Sequence, residues 1–222
     1  MDIAMDTLPK SLIDLLGGFS SNLPPNTLKF PRDVSLSDAQ DFLVHKLLLD
    51  PHFVSYPASK QYQALFWKWV IQNLEDALAN SSEDIELDSR IYEHYISLVS
   101  SVSKCPAVGV EHPPESYTTY FWHDRSKYAR STLMESRKII ESGTTGLTTW
   151  PASMVLANFL TMHRETVQGK SIVELGSGIG LLGIIMATVQ VQSQSSSTLC
   201  LTDGRPDVLR RCQSNLSLPC SM

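Results

Sequence analysis

The stretch Ser171-Ile172-Val173-Glu174-Leu175-Gly176-Ser177-Gly178-Ile179-Gly180-Leu181-Leu182-Gly183 constrains the fold more than any other part of this chain. A short apolar run enters three alternating glycines and leaves into a second apolar run, the pattern of a buried strand, a tight turn and a helix. The expected strand is Ser171 to Leu175 and the helix runs from about Gly180 to Gln190. A serine-rich loop (Ser193 to Ser197), a second strand (Thr198 to Thr202) ending on Asp203, and a helix over about Pro206 to Asn215 follow. Alternation of strand and helix points to an α/β unit with a parallel sheet. The chain ends at Met222, so a sheet that opens at Ser171 has little room for further strands. Two strands alone are expected to leave apolar faces and a sheet edge uncovered.

The glycine turn has a chemical reading. Glycine lets a backbone approach a ligand closely and adopt positive φ. The helix behind it points free N–H groups and its positive dipole end at the turn. Glu174, two residues before the first glycine, is placed to meet an ammonium group, directly or through water. Asp203, at the end of the second strand, is placed to accept hydrogen bonds from two ribose hydroxyls. Together these match an S-adenosylmethionine (SAM) site on a Rossmann-like fold. A dinucleotide site is the alternative: Gly178, Gly180 and Gly183 satisfy G-x-G-x-x-G, with Asp203 about 20 residues further on. Two features weigh against it. The glycines begin at Gly176, straight after the strand, and an anion at Glu174 beside a diphosphate is unfavourable. A turn that merely permits tight strand–helix packing leaves Glu174 and Asp203 unexplained.

Upstream, the sequence is helical. A short helix is expected around Leu12 to Leu16, broken by Gly17-Gly18 and Pro24-Pro25. Ser37 is read as the cap of the next, with Gln40 reaching back in a capping box, until Asp50-Pro51 stops the pattern. Tyr62, Leu65, Phe66, Trp69, Val70 and Leu74 recur at helical spacing. Leu87, Ile91, Tyr95 and Leu98 mark one face of a further helix. Such aromatic stripes are core faces of helix bundles more often than partner grooves. Residues 104–118 read as a connector. Tyr117 to Trp122 and Thr132 to Ile140 then form a hairpin around the polar stretch His123 to Lys127. Gly143-Thr144-Thr145-Gly146 is a loop. Thr149 is read as the cap of a helix with Pro151 at its first position and with Val155, Leu156, Phe159 and Leu160 as its apolar face.

Composition excludes several classes. A net charge of −5 and no long basic run give no nucleic-acid footprint. Charged residues make up 18% and hydrophobic residues 42%, as in globular proteins. Cys105, Cys200, Cys212 and Cys220 lack metal-site spacing and read as free thiols. No metal site, secretory signal or membrane span is expected, which leaves a cytoplasmic location open.

Gly143-Thr144-Thr145-Gly146-Leu147-Thr148-Thr149-Trp150, followed by a helix and then Val173-Glu174-Leu175-Gly176-Ser177-Gly178, resembles the elongation factor two lysine methyltransferases, seven-strand enzymes that modify lysines of non-histone proteins. His45-Lys46, Asp50-Pro51-His52, Pro57-Ala58-Ser59-Lys60 and the aromatic helix resemble that family's N-terminal domain, and Thr132 to Ser136 fits the strand before the glycine–threonine loop. The resemblance covers about residues 37 to 215. It implies SAM as cofactor, elongation factor two as protein substrate, and a cytoplasmic enzyme. It also implies that Trp150 packs beside SAM and that Gly176, Ser177 and Gly178 line it; the turn's own chemistry adds Gly180, Glu174 and Asp203 to the expected cofactor site. No catalytic residue is singled out. Glu135 and His123 are candidate substrate contacts, each read first as a satisfied or surface polar residue.

The expected organisation is therefore an N-terminal segment (1–36), a helical family domain (37–103), a linker and hairpin (104–131), and the first half of a Rossmann-like class I methyltransferase domain (132–222). Family members continue through strands that complete the adenine pocket and carry an acidic-x-x-tyrosine type motif. Their absence after Asn215 leads to the expectation of a truncated chain, inactive by itself. The alternative from another class is a non-catalytic fragment that binds a partner through its helices.

Overall fold

The computed structural model describes residues 7–80, 86–103, 115–125, 127–138, 140–141, 143–192 and 197–220. The cysteine at 105, most of the expected connector (104–114) and all but Ser197 of the serine-rich loop lie outside them. The chain divides into two compact units, Met1–Pro113 and Pro114–Met222.

The first unit is helical: α1 (Lys10–Ser20), α2 (Leu36–Phe42), α3 (Pro51–Ser55), α4 (Lys60–Ala79) and α5 (Ser89–Ser103). Gly17-Gly18 does not break α1, which runs through both. A Cβ at Gly18 would collide with the Leu28 side chain, so glycine serves close packing there. The cap of α2 is Ser35, whose Oγ accepts from Asp38 N at 3.1 Å, and not Ser37. Gln40 makes no capping box. It is buried and tethers the chain before α5, accepting from Asp88 N at 2.8 Å and donating to Glu86 O at 3.4 Å. Long-range partners outcompete the local one because a buried amide must satisfy both of its ends. α2 continues as a π-helical turn over Leu43–Leu48 that buries Leu43, Val44 and Leu47.

α4 is centred on Phe66, Trp67, Val70, Ile71 and Leu74, with Leu65 61% exposed, so its inner face is rotated from the expected stripe. Phe19 meets Phe66 with ring centroids 4.6 Å apart, and Phe66 meets Trp67 edge-on at 5.4 Å. Such pairs add about 0.5–1.5 kcal/mol beyond area burial.

The second unit is α/β. β1 (Glu115–Asp124) and β2 (Lys127–Ser136) pair antiparallel, from Glu115 opposite Ser136 to Asp124 opposite Lys127. The expected hairpin forms, but β2 starts at Lys127 and ends at Ser136, so much of the polar stretch is strand. Arg164 pairs with Asp124 at the tip, where Gln192 also donates to Asp124 Oδ2 at 2.7 Å.

α6 (Pro151–Met162), β3 (Ile172–Leu175), α7 (Leu181–Gln192), β4 (Leu199–Thr202) and α8 (Pro206–Leu216) follow. β3 and β4 pair in parallel, Ile172 opposite Leu199 and Leu175 opposite Thr202, with α7 as the crossover. This β–α–β unit is the opening of a Rossmann-like sheet. α7 buries Leu181, Leu182, Ile184, Ile185, Met186 and Val189, most of its circumference, as a central helix must. α6 departs from expectation: Ala157 and Thr161 are its buried positions, while Val155, Leu156 and Phe159 are exposed and Leu160 is half-buried.

Asn215 is fully buried on α8. Its Oδ1 accepts from Met134 N at 2.9 Å, and its Nδ2 donates to Ile179 O at 3.1 Å and Met134 O at 3.4 Å. Asn215→Ala leaves these backbone groups without partners, at a cost of roughly 1–3 kcal/mol each. Urea denaturation should show the second unit destabilised by about 2 kcal/mol or more. A change within about 0.5 kcal/mol would mean the amide is dispensable.

Candidate active site

A cavity of about 400 Å³ opens over the glycine turn. Its floor is Gly176 to Leu181, its far wall is the segment Thr144 to Trp150, and Asp203 closes one end. The turn is held open by positive φ at Gly176 (70°), Gly178 (54°) and Gly180 (97°), a region that costs other residues about 1–2 kcal/mol. A Cβ at Gly180 would also sit 2.7 Å from Cys212 Sγ.

Asp203 closes the turn from β4. Its Oδ2 accepts from Gly178 N at 3.2 Å and its Oδ1 accepts from Arg205 N at 3.1 Å. Each carboxylate oxygen retains acceptor capacity, so Asp203 can receive hydroxyl donors while it orders the turn. Ser177 is buried: its N–H and Oγ both donate to Thr202 O, at 2.8 Å and 3.1 Å.

Trp150 is 54% exposed, at the lip of the cavity, and donates from Nε1 to Thr145 O at 3.2 Å. It is not a core tryptophan. It is the residue before α6 and offers no side-chain cap, and neither does Thr149. The Thr149 hydroxyl is committed elsewhere, donating to Glu135 Oε1 at 2.7 Å. Glu135 is buried and also accepts from Tyr120 Oη at 3.0 Å. Burial pushes its carboxyl up, against the opposing effect of these donors. Glu135 is thus a satisfied internal carboxyl, while His123 is exposed and lies tilted against Tyr128, ring centroids 4.2 Å apart.

Of the residues expected around a cofactor, Trp150, Gly176, Ser177, Gly178, Gly180 and Asp203 all line this cavity. Glu174 is placed differently. It lines a neighbouring apolar cavity of about 380 Å³ with Leu156, Leu160, Val173 and Leu175. Ala152 and Ser153 border both. Burial without a counter-charge pushes the Glu174 carboxyl up to about 7. Thr144, Thr145 and Thr148 line the first cavity without having been singled out. Their signal was the density of hydroxyls after a strand. Among the described residues no cluster of His, Cys, Asp and Glu is arranged to hold a metal ion, and no helix is long and apolar enough to cross a membrane.

A family model described as lysine methyltransferase matches residues 131–220, which hold the second half of β2 and every residue that lines the cavity. That part of the chain is similar to the protein-lysine methyltransferases. It is 38% identical over 86 residues to the protein-lysine N-methyltransferase EFM3 of Chaetomium thermophilum, covering 38% of this chain and 24% of that one. It is 29% identical over 153 residues to the human protein-lysine N-methyltransferase EEF2KMT, covering 69% of this chain and 41% of that one. A calmodulin-lysine N-methyltransferase of Arabidopsis thaliana is 37% identical over 67 residues, 30% of this chain and 21% of that one. The chain thus spans less than half the length of each of these relatives. The methyl donor of this methyltransferase family is SAM.

The Glu174 carboxyl yields a pH signature. Its folded-state value lies above the ordinary 4.5, so the folded chain holds a proton that the unfolded chain has released between about pH 4.5 and 7. Its contribution to stability is full below pH 4.5, declines as pH rises towards 7, and is flat above. Melting temperatures should therefore show Glu174→Gln gaining on the parent across that window. A gain that shrinks as pH rises would contradict burial as the cause.

Proposed function

We propose that this chain holds SAM for methyl transfer to a lysine of elongation factor two. The observation that carries the cofactor part is the joining, in one cavity, of an open glycine turn, a carboxylate at the end of β4, and an exposed tryptophan. The residues suit the group. Gly178 leaves a space in which a Cβ would stand 3.4 Å from Gly146 O, so the cradle is narrow and bounded by backbone. At Gly178 itself a bound ligand would meet peptide groups. Asp203 would accept from the ribose hydroxyls, and Trp150 would cover the sulfonium end. Glu174, one cavity away and without a counter-charge, would meet the ammonium through the border at Ala152 and Ser153.

SAM, when bound, supplies an electrophilic methyl group on a sulfonium. The transfer needs a neutral, oriented lysine amine, so positioning and exclusion of water supply much of the rate. The residues assigned here bind and orient the donor. The relative EEF2KMT supports elongation factor two as the substrate. Its match runs over 153 residues, more than the stretch from residue 131 to the chain end, and so takes in sequence ahead of the methyltransferase part. The calmodulin-type relative matches over 67 residues. That breadth favours a shared substrate-recognition region. The same reading places the protein in the cytoplasm, where that substrate works.

Isothermal titration of the 222-residue chain tests this. SAM and S-adenosylhomocysteine should bind competitively, and NADH should not compete. The dissociation constant should be weaker than about 1 μM, because enclosure by aromatic and apolar groups supplies much of a small ligand's affinity and Trp150 is the one aromatic among the cavity's described residues. Gly178→Val should abolish binding. Asp203→Asn should weaken it about tenfold or more, the loss of charge-assisted hydrogen bonds worth roughly 1.5–3 kcal/mol. NADH binding without SAM binding would restore the dinucleotide alternative.

A further inference from the structure

We propose that Glu135 is a positioning residue for the cofactor: its buried carboxylate fixes Thr149, and through it the Trp150 lip of the cavity, from behind. The inference rests on the SAM reading above and concerns a residue that does not border the cavity.

The wall of the cavity has little regular structure of its own. Among the described residues between β2 and α6 there is one isolated bridge, Glu141 with Thr144. The wall is held by the last residues of β2 and those just after. Ser136 N donates to Leu147 O at 2.8 Å. Thr148 Oγ1 donates to Ser136 O at 3.2 Å and Lys138 O at 3.3 Å. At Thr149 the support changes from backbone to side chain. The Thr149 hydroxyl donates to Glu135 Oε1 at 2.7 Å and its N–H donates to Glu135 Oε2 at 3.4 Å. Both donors of one residue meet both oxygens of one carboxylate, so the contact sets orientation as well as distance.

The carboxylate is itself located. Tyr120, opposite Ser131 on β1, reaches along the hairpin to donate to Glu135 Oε1 at 3.0 Å. Tyr120, Glu135 and Thr149 thus form a chain from β1 through β2 to the residue before Trp150. Trp150 then closes the wall on itself through its bond to Thr145 O. A 6%-exposed acid at this position is costly to desolvate and would favour an apolar replacement on packing grounds alone. Three donors converge on it, and two come from a residue that lines the cavity. A wall that must hold one shape against a ligand is what such an arrangement produces.

Glu135→Gln keeps the shape and one acceptor oxygen but loses the charge and the second acceptor. Thr149→Val keeps the shape and the N–H but removes the hydroxyl. Two readouts are taken on the full chain: SAM affinity by titration, and amide hydrogen exchange of the peptides covering 147–154 and 172–180. Both variants should weaken SAM about tenfold, the scale of one lost hydrogen bond to a charged group. Both should exchange faster over 147–154 with 172–180 unchanged. Restoring the carboxylate in a Glu135→Asp variant should recover part of the affinity. Faster exchange with unchanged SAM affinity would make Glu135 merely structural and overturn the proposal. So would weakened SAM with unchanged exchange at 147–154, since the effect would then not pass through the wall. Failure of the parent chain itself to bind SAM would overturn the cofactor reading along with this one. SAM binding by the parent that both variants retain would overturn this one alone.

Discussion

The side-chain amide of Asn215 is the contact on which the second unit's geometry depends. It carries one donor group and one acceptor into a fully buried place and spends them on two separate segments: Met134 in the hairpin and Ile179 in the glycine turn. The wall of the cavity grows out of the hairpin and the floor is the turn. One residue of α8 therefore sets the distance between wall and floor. α8 itself is amphipathic, with Val208, Cys212 and Asn215 on its inner line. The amide takes the place in that line where a purely apolar helix would have had another aliphatic group. Because its loss would strip this partner from one buried and two partly buried backbone groups, the docking of α8 is specific in register, a property that apolar packing alone supplies less sharply.

Two carboxyls illustrate how the environment divides the work. Glu135 is the more deeply buried, and it is met by a tyrosine hydroxyl, a threonine hydroxyl and a backbone N–H. Glu174 is less buried and lies among aliphatic side chains, and desolvation is the sole cause of its raised value. The first is a finished internal structure. The second is an acid that burial alone keeps protonated to higher pH. The glycine turn between them needs neither: Asp203 orders it from the other side.

The helical unit rests on a different principle. Its core is an aromatic cluster in which Phe19 of α1 touches Phe53, Phe66 and Trp67. Aromatic faces and edges interlock with preferred geometry, so a few large residues define the packing of several short helices. This is why α1 persists through two adjacent glycines: the burial of Leu15 and Phe19 offsets the helix cost of Gly17 and Gly18, about 1 kcal/mol each. Gln40 adds a directional element, a buried amide that binds the chain just before α5.

What the sequence determined by itself was what depends on neighbours within a few residues. The strand–turn–helix at Gly176, the second strand ending at Asp203, the helix opening at Pro151 and the hairpin follow from apolar period and from glycine and proline, whose effects are local. The line-up of Trp150, the glycines and Asp203 was legible for the same reason, since each stands at the end of a regular element. The tertiary structure decided which of several competent polar groups each donor chose. Ser35 and not Ser37 caps α2, and Thr149 turns from the helix it precedes to Glu135. Gln40 and Asn215 reach partners distant in sequence. It also decided which side of α6 is inward, and that Glu174 faces the apolar cavity beside the glycine turn. A hydrogen bond within a turn costs little chain entropy and can be read from spacing. A bond between distant residues exists only once packing has brought both ends out of water, and no local pattern encodes that meeting.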